Sequence, residues 1–364
     1  MKKILLLTFA AILFSAGCSQ KLKTEDNTPY ICFIADAEQS FTMDFDPYEI
    51  GDFTPAEGDY FEYSVGNGEW QRFNSEVSGI AFGGAKGTLR LRGKSIKGSA
   101  DAETTTNIKF GTSAPVRCSG DIRTLVDFGN YKNADTKEAM FYGLFSGCDV
   151  LISAPELPAT ELAPYCYNSM FEGCSSLETA PALPATNLTD YCYASMFYLC
   201  TALKDVPELP ARQMAESCYS SMFNACTALK NAPELPATSL AENCYHSMFA
   251  SCASLETAPA LPASKLAPHC YQSMFYNCAA LKNAPQLTAT ELVKYCYMAM
   301  FRACPSLTEI QFFGISGFET NACLREFLNE SDGPGTIYIK DEATAAKFKA
   351  AYKIGENWKF KYRQ

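Results

Sequence analysis

The residues in this chain that most suggest chemistry are a thiol and an imidazole side by side, Cys270 directly after His269. A cysteine nucleophile needs such a base, together with a site for the oxyanion. The company Cys270 keeps argues otherwise. Equivalent cysteines stand at 166, 192, 218, 244 and 296, in steps of 26, and none has a histidine adjacent to it. A recurring core position is the simpler account, and no catalytic residue is assigned. His246 and His269 are the only histidines, too few for a histidine-rich metal site. Asp44, Asp46, Glu49 and Asp52 gather carboxylates without the EF-hand spacing and its glycine at loop position six. They read as a solvated loop, so no metal is expected. No P-loop, dinucleotide fingerprint or zinc spacing occurs, and no cofactor is expected.

The elements that must position these residues follow from composition and pattern. The 364 residues are 48% hydrophobic and 19% charged, with a net charge of −10. Two or three domains with real cores fit this length, and a disordered chain does not. So acidic a protein lacks the electrostatic footprint of a nucleic-acid binder.

Lys2-Lys3, an apolar run from Ile4 to Phe14 and Ser15-Ala16-Gly17-Cys18 form a secretory signal, too short to span a bilayer. The small residues before Cys18 resemble the lipobox of bacterial lipoproteins, with Ser15 where that motif usually has Leu. The resemblance implies acylation of Cys18 and a lipid-anchored protein at the outer membrane or cell surface. Cleavage nearby without acylation, giving a secreted protein, is the alternative. Residues 1–17 are then the signal peptide and 18–29 a polar tether.

Residues 30–136 have the pattern of a small β-sandwich. Tyr60–Val65 and Glu69–Phe73 flank Gly66-Asn67-Gly68, residues that tolerate the positive φ of a hairpin turn. Thr88–Arg92 alternates apolar and polar, as a half-buried strand does. Cys32 and Cys118 could pair in an oxidising compartment, a question that spacing leaves open.

From residue 137 the chain repeats itself. Cysteines recur at 148, 174, 200, 226, 252, 278 and 304, leucines at 151, 177, 203, 229, 255, 281 and 307, and tyrosines at 167, 193, 219, 245, 271 and 297. Met-Phe pairs from Met170-Phe171 to Met300-Phe301 keep the same step. Self-similarity at this period is the signature of a solenoid. Within one unit, Leu229–Pro236 is extended and punctuated by proline, so only a brief strand is expected. Thr238 or Ser239 then supplies a helix N-cap, and Leu240, Cys244, Tyr245, Met248, Phe249 and Cys252 fall on one helical stripe of about three turns. Pro164 and Pro268 sit near the start of the same helix in their own units. Equivalent helices about 8–10 Å apart are too distant for disulfides, so the cysteine ladders are expected as buried thiols.

The recurring Leu-Pro-Ala-Thr-x-Leu-Ala-x-x-Cys-Tyr-x-Ser-Met-Phe-x-x-Cys-x-x-Leu, seen at 160–177 from Thr-Glu-Leu-Ala to Ser-Ser-Leu, resembles the leucine-rich repeats of BspA-like surface proteins of Bacteroides and related gut bacteria. That likeness implies adhesion and the binding of host or matrix proteins, without catalytic residues. The expected fold is an α/β leucine-rich-repeat solenoid of 26-residue strand–helix units over 137–306. A small all-β domain precedes it, and an α+β cap (307–364) closes it.

Positions that vary along the repeat must carry any recognition. One row is Glu156, Ala182, Glu208, Glu234, Ala260 and Gln286; a second is Ser153, Thr179, Asp205, Asn231, Thr257 and Asn283. Glu156, Glu208, Glu234, Gln286, Asp205, Asn231 and Asn283 are the candidate ligand-binding residues, for a protein or glycan partner. A merely solvated face is the competing reading. Tyr165, Tyr191 and Tyr295, with Tyr198 and Tyr276, are either sugar platforms or interface anchors, or else packing between units. The two functions compatible with these features are surface recognition and a structural spacer in the envelope.

Overall fold

A computed structural model describes residues 30–45, 60–73, 79–94, 106–319 and 322–363. The expected signal peptide, the tether and Cys18 lie outside these residues, as do Asp46, Glu49 and Asp52; Asp44 is near the end of a strand.

Strands β1 (Ile31–Ala35), β2 (Gln39–Phe45), β3 (Tyr60–Val65), β4 (Gln71–Phe73), β5 (Ile80–Phe82), β6 (Leu89–Lys94), β7 (Thr106–Phe110) and β8 (Val116–Ser119) build two antiparallel sheets. One runs β4-β3-β6-β1-β8, the other β5-β2-β7. Alternation decides the faces. Phe61, Leu89, Leu91, Ile31, Phe33 and Val116 are buried on one side of the larger sheet, and Phe33 meets Phe41 of the smaller sheet at 5.6 Å. Cys118 stands opposite Phe33 and Cys32 opposite Ser119, which puts the two cysteines on opposite faces of the sheet. A short helix, α1 (Thr124–Asp127), follows.

The larger sheet does not end at β8. It continues in parallel into β9 (Leu151–Ser153), the first strand of the repeats. Asn107 Nδ2 donates to the carbonyls of Gly143 and Ser146 at 2.9 and 2.8 Å, and the Cys148 thiol donates to Ile108 O at 2.8 Å. The sandwich is thereby welded to the first unit.

Beyond β9 each unit repeats two short extended contacts and one longer segment. The extended contacts are parallel bridges to the next unit, Ser153 to Thr179 to Asp205 along one line and Glu161 to Asn187 to Gln213 to Ser239 to Lys265 along another. The brevity follows from the prolines, which have no N–H to give a ladder. The longer segment differs from the expected helix. Over Leu240–Cys252 no α-helix forms; the chain runs as consecutive tight turns. Alternate N–H groups close turns on their own unit (Met248 to Tyr245 O, Ala250 to Ser247 O), while the others cross to the next unit (Tyr245 to Cys270 O, Ser247 to Gln272 O, Phe249 to Met274 O). Every fourth residue has positive φ: Asn243 at 54°, Ser247 at 51°, Ser251 at 58°.

The physical reason for the difference is the period. Cys244-Tyr245, Met248-Phe249 and Cys252 repeat every four residues, and over two turns a period of 4 cannot be told from 3.6. A ribbon of four-residue turns gives the same inward pairs. The prolines also read differently. Pro164 precedes the positive-φ residue Tyr165 in the turn closed by Cys166 N–H on Ala163 O, where a type II turn prefers proline. Pro268 does the same before His269.

Stacking these ribbons superimposes their side chains. Tyr193, Tyr219, Tyr245, Tyr271 and Tyr297 lie nearly parallel at 5.8–6.0 Å between centroids. Phe145 to Phe301 form a second column, starting at 5.4 Å. The recurring leucines, cysteines and methionines are buried between them.

The ribbon continues past the last repeated cysteine. Tyr297 N–H bonds Cys323 O, Ala299 bonds Arg325 and Phe301 bonds Phe327, with positive φ at Ala322, Glu326 and Glu330. β10 (Glu309–Gln311), β11 (Gly335–Ile339) and β12 (Trp358–Tyr362) then form a parallel sheet, with α2 (Glu342–Ala351) between the last two. Asp341 caps α2 through Thr344 N–H at 2.8 Å. Phe327 turns its edge to Phe301 at 77°, and Phe312 and Phe348 meet at 88°, so the face-to-face columns end in an edge-to-face cluster.

Candidate interaction surface

Each exposed row owes its position to the buried residues on either side. Glu208 lies between buried Pro207 and Leu209, and Glu234 between buried Pro233 and Leu235, so an extended backbone turns both carboxylates outward. Three residues earlier, Asp205, Asn231 and Asn283 are exposed on or beside the first bridge line, Asn231 through Thr257 to Asn283 and on to Glu309.

The candidate residues are not one site. Asp205, Glu208, Asn231 and Glu234 occupy adjacent units, about 4.7–4.9 Å apart along the stack. Asn283 and Gln286 are two units further on, beyond Thr257 and Ala260. Glu156 belongs to the junction: its N–H donates to Gly120 O, its carbonyl accepts from Ile122, and it bridges Asp121.

A third row, missed in the sequence, is interleaved with these. Glu178, Lys204, Lys230, Glu256 and Lys282 follow the core leucines by one position and are all exposed. Lys204 pairs with Glu178 at 3.7 Å and Lys282 with Glu256 at 3.6 Å. The face is therefore mixed in charge rather than acidic. Aligning the residue after each leucine at the 26-residue step would have found it.

At the first of the two aromatic positions on the ribbon side the rings face one another, whereas Tyr198 and Tyr276 at the second stand three units apart. Tyr165 and Tyr191 stack at 4.7 Å and 6°, and His269 and Tyr295 approach to 4.7 Å. Burial, helped by neighbouring Tyr191, Asp190 and Glu216, raises the Tyr165 phenol above its ordinary value. These rings pack between units, which leaves the inner faces of the pairs closed to a sugar.

His269 and Cys270 do not form a dyad. His269 Nδ1 shares a hydrogen bond with Gln272 Oε1 at 2.6 Å. Cys270 is wholly buried, and desolvation pushes its thiol up to about 12, so it stays protonated at neutral pH. Burial lowers the His246 imidazole. The other cysteine series has a role that spacing did not disclose. Cys174, Cys200, Cys226, Cys252, Cys278 and Cys304 each donate S–H to a phenylalanine carbonyl of the preceding unit, at 3.0–3.1 Å. In the final ribbon Ser331 takes that place, its hydroxyl donating to Phe301 O at 2.6 Å.

Among the described residues no group of three or more His, Cys, Asp or Glu is placed to hold a metal ion, and no helix is long and apolar enough to cross a membrane. No protein-family model, curated protein or solved structure matches this chain.

Proposed function

We propose that this is a surface recognition protein, anchored through acylated Cys18, whose leucine-rich-repeat solenoid binds a protein or glycan through its exposed rows. The observation that carries the reading is the contrast within each unit. Buried leucine, cysteine, tyrosine and Met-Phe positions barely vary, while exposed positions beside them, Asp205, Glu208, Asn231 and Glu234 among them, change from unit to unit on a fixed spacing. Such a frame holds side chains in register at little entropic cost. The test is capture of matrix proteins and glycans by the soluble fragment 28–364, with Asp205→Asn, Glu208→Gln and Glu234→Gln combined. Loss of capture supports the reading; capture unchanged by the triple variant removes the rows from it. Metabolic labelling with a fatty acid, abolished by Cys18→Ser, tests the anchor.

A spacer without a ligand of its own is the second reading. It is favoured by the pairing of Lys204 with Glu178 and Lys282 with Glu256, which neutralises those four charges of the third row within the molecule.

A further inference from the structure

The outer face of the larger sandwich sheet carries a basic, ring-lined surface that the repeats do not share. Register places Arg72 beside Glu62 and Glu62 beside Arg92, with Ser64 beside Arg90 and Tyr60 beside Lys94. Alternation turns these residues away from the core. Arg72 and Arg92 share one carboxylate, Glu62, at 3.7 and 2.9 Å, and Lys94 pairs with Asp127 at 2.7 Å. Arg90 has no carboxylate among the described residues. Its Nη2 donates to Ser64 Oγ at 2.6 Å and to Gly68 O at 3.3 Å, and its Nε is buried without a partner among the described residues, so Nη1 is the donor left for a ligand. Among the described residues these four cations thus face two anions, in a protein whose net charge is −10.

Rings flank the uncompensated guanidinium. Its central carbon is 5.3 Å from the Trp70 ring and 5.5 Å from the Tyr30 ring, and these two half-buried rings lie 5.7 Å apart at 57°. Arg92 is stacked against Trp70 at 3.9 Å and Phe128 at 4.3 Å, which fixes the indole in place. A planar guanidinium between fixed rings suits a ligand that joins a carboxylate to an apolar ring face.

We propose that this face binds an acidic saccharide, its carboxylate on Arg90 and a sugar ring against Trp70 and Tyr30. Charge complementarity selects an anion. The charged side chains spread across β4, β3 and β6 on one sheet face and offer no helix groove, which disfavours a helical peptide. The proposal is independent of the reading given to the repeats.

Intrinsic fluorescence provides the test, because Trp70 and the buried Trp358 are the only two tryptophans. Fragment 28–364 is titrated with a galacturonic-acid trimer, with the neutral galactose trimer and with triglutamate. A saturable change is expected with the uronate alone. Arg90→Met and Arg90→Lys should each weaken it about ten-fold or more, the second because an ammonium cannot hold Ser64 and Gly68 with one nitrogen while offering another to the ligand. Trp70→Phe should abolish the signal. No saturable response to the uronate overturns the proposal. So does an equal response to triglutamate, or undiminished affinity in a folded Arg90→Lys. Arg90 and Trp70 lie on the sandwich and Asp205, Glu208 and Glu234 on the repeats, so the capture test and this titration fail separately.

Discussion

The repeated thiols are hydrogen-bond donors as well as small apolar fillers. In each unit one carbonyl, Phe223 O for example, accepts both the Cys226 N–H of its own turn and the Cys252 thiol of the next unit. Cys252→Ser keeps a donor, as Ser331 does naturally, and should cost less than about 1 kcal/mol. Cys252→Val fills the space but leaves the second lone pair unmet, and should cost about 1–3 kcal/mol in denaturant unfolding. Equal losses for the two would reduce the thiol to a filler. The same burial makes stability fall in alkali. Desolvation raises Cys192, Cys252, Cys270 and Cys304 to about 12 in the folded chain. Above about pH 8.5 the unfolded chain releases thiol protons that the folded one keeps, so each thiol removes about 1.4 kcal/mol per pH unit. The stabilisation is whole below that pH and lost as pH climbs towards 12, and the ladder tyrosines, raised by burial too, add to the loss. The melting temperature should therefore drop steeply between about pH 9 and 11. A flat profile over that range would mean that the thiols are not held protonated.

At the level of the element, the turn ribbon accepts left-handed backbone at residues other than glycine, which costs about 1–2 kcal/mol each. Cross-unit hydrogen bonds offset it, at about 0.5–1.5 kcal/mol apiece. Leu199 is the extreme case: its φ is 61°, and it is 42% exposed. Gly173 and Ala225 hold the same place in the neighbouring units. Leu199→Gly relieves about 1–2 kcal/mol of φ strain but gives up the covered part of the side chain and adds unfolded-chain entropy, so the change should be within about 0.5 kcal/mol of neutral, far less than a leucine truncation at a buried position costs. A loss well beyond that would mean that Leu199 packs more than its exposure indicates. Far-UV dichroism supplies a second check. α2, ten residues long, is the longest α-helix among the described residues, so the spectrum should lack a helical band of the size that six three-turn helices would give. The ribbon also marks where sequence stopped being informative. Which residues face inward is written in the cysteines, tyrosines and Met-Phe pairs, because burial depends on side-chain chemistry. Whether their backbone is helix or turn is not, because a spacing of four serves both. The prolines and the serine two residues after five of the six ladder tyrosines fit turns, but a helix start accommodates Pro164 equally well. Asp205 and Glu208 were legible as exposed, while the Lys204–Glu178 pairing depends on neighbours 26 residues away. Arg90 escaped notice because only the β3–β6 register shows that Glu62 serves Arg92 rather than Arg90.

For the whole molecule, the consequence is that one unit is interchangeable with the next, while the two ends are not. The N-terminal end is joined through β8 and β9 to the sandwich, and the C-terminal end meets edge-on aromatic rings. Removing residues 229–254 brings Leu255 directly after Ala228. Tyr219 then lies over Tyr271, Phe223 over Phe275, and the Cys278 thiol meets Phe223 O in the way Cys252 did. Both ends keep their own neighbours. Stability in such an array is close to a sum of unit and nearest-neighbour terms, so this deletion should fold and melt cooperatively, somewhat below the full chain. Removing only 242–254, half a unit, should behave differently. It takes away one ribbon and leaves the extended half of its unit without the Tyr and Phe that cover it, so later side chains fall out of register. The predicted outcome is a soluble, cooperative protein from the first deletion and a misfolded one from the second, compared by thermal melting and size-exclusion chromatography. If the 26-residue deletion unfolds as badly as the 13-residue one, the units are not equivalent, and the contacts between them must be specific to each pair rather than shared along the stack.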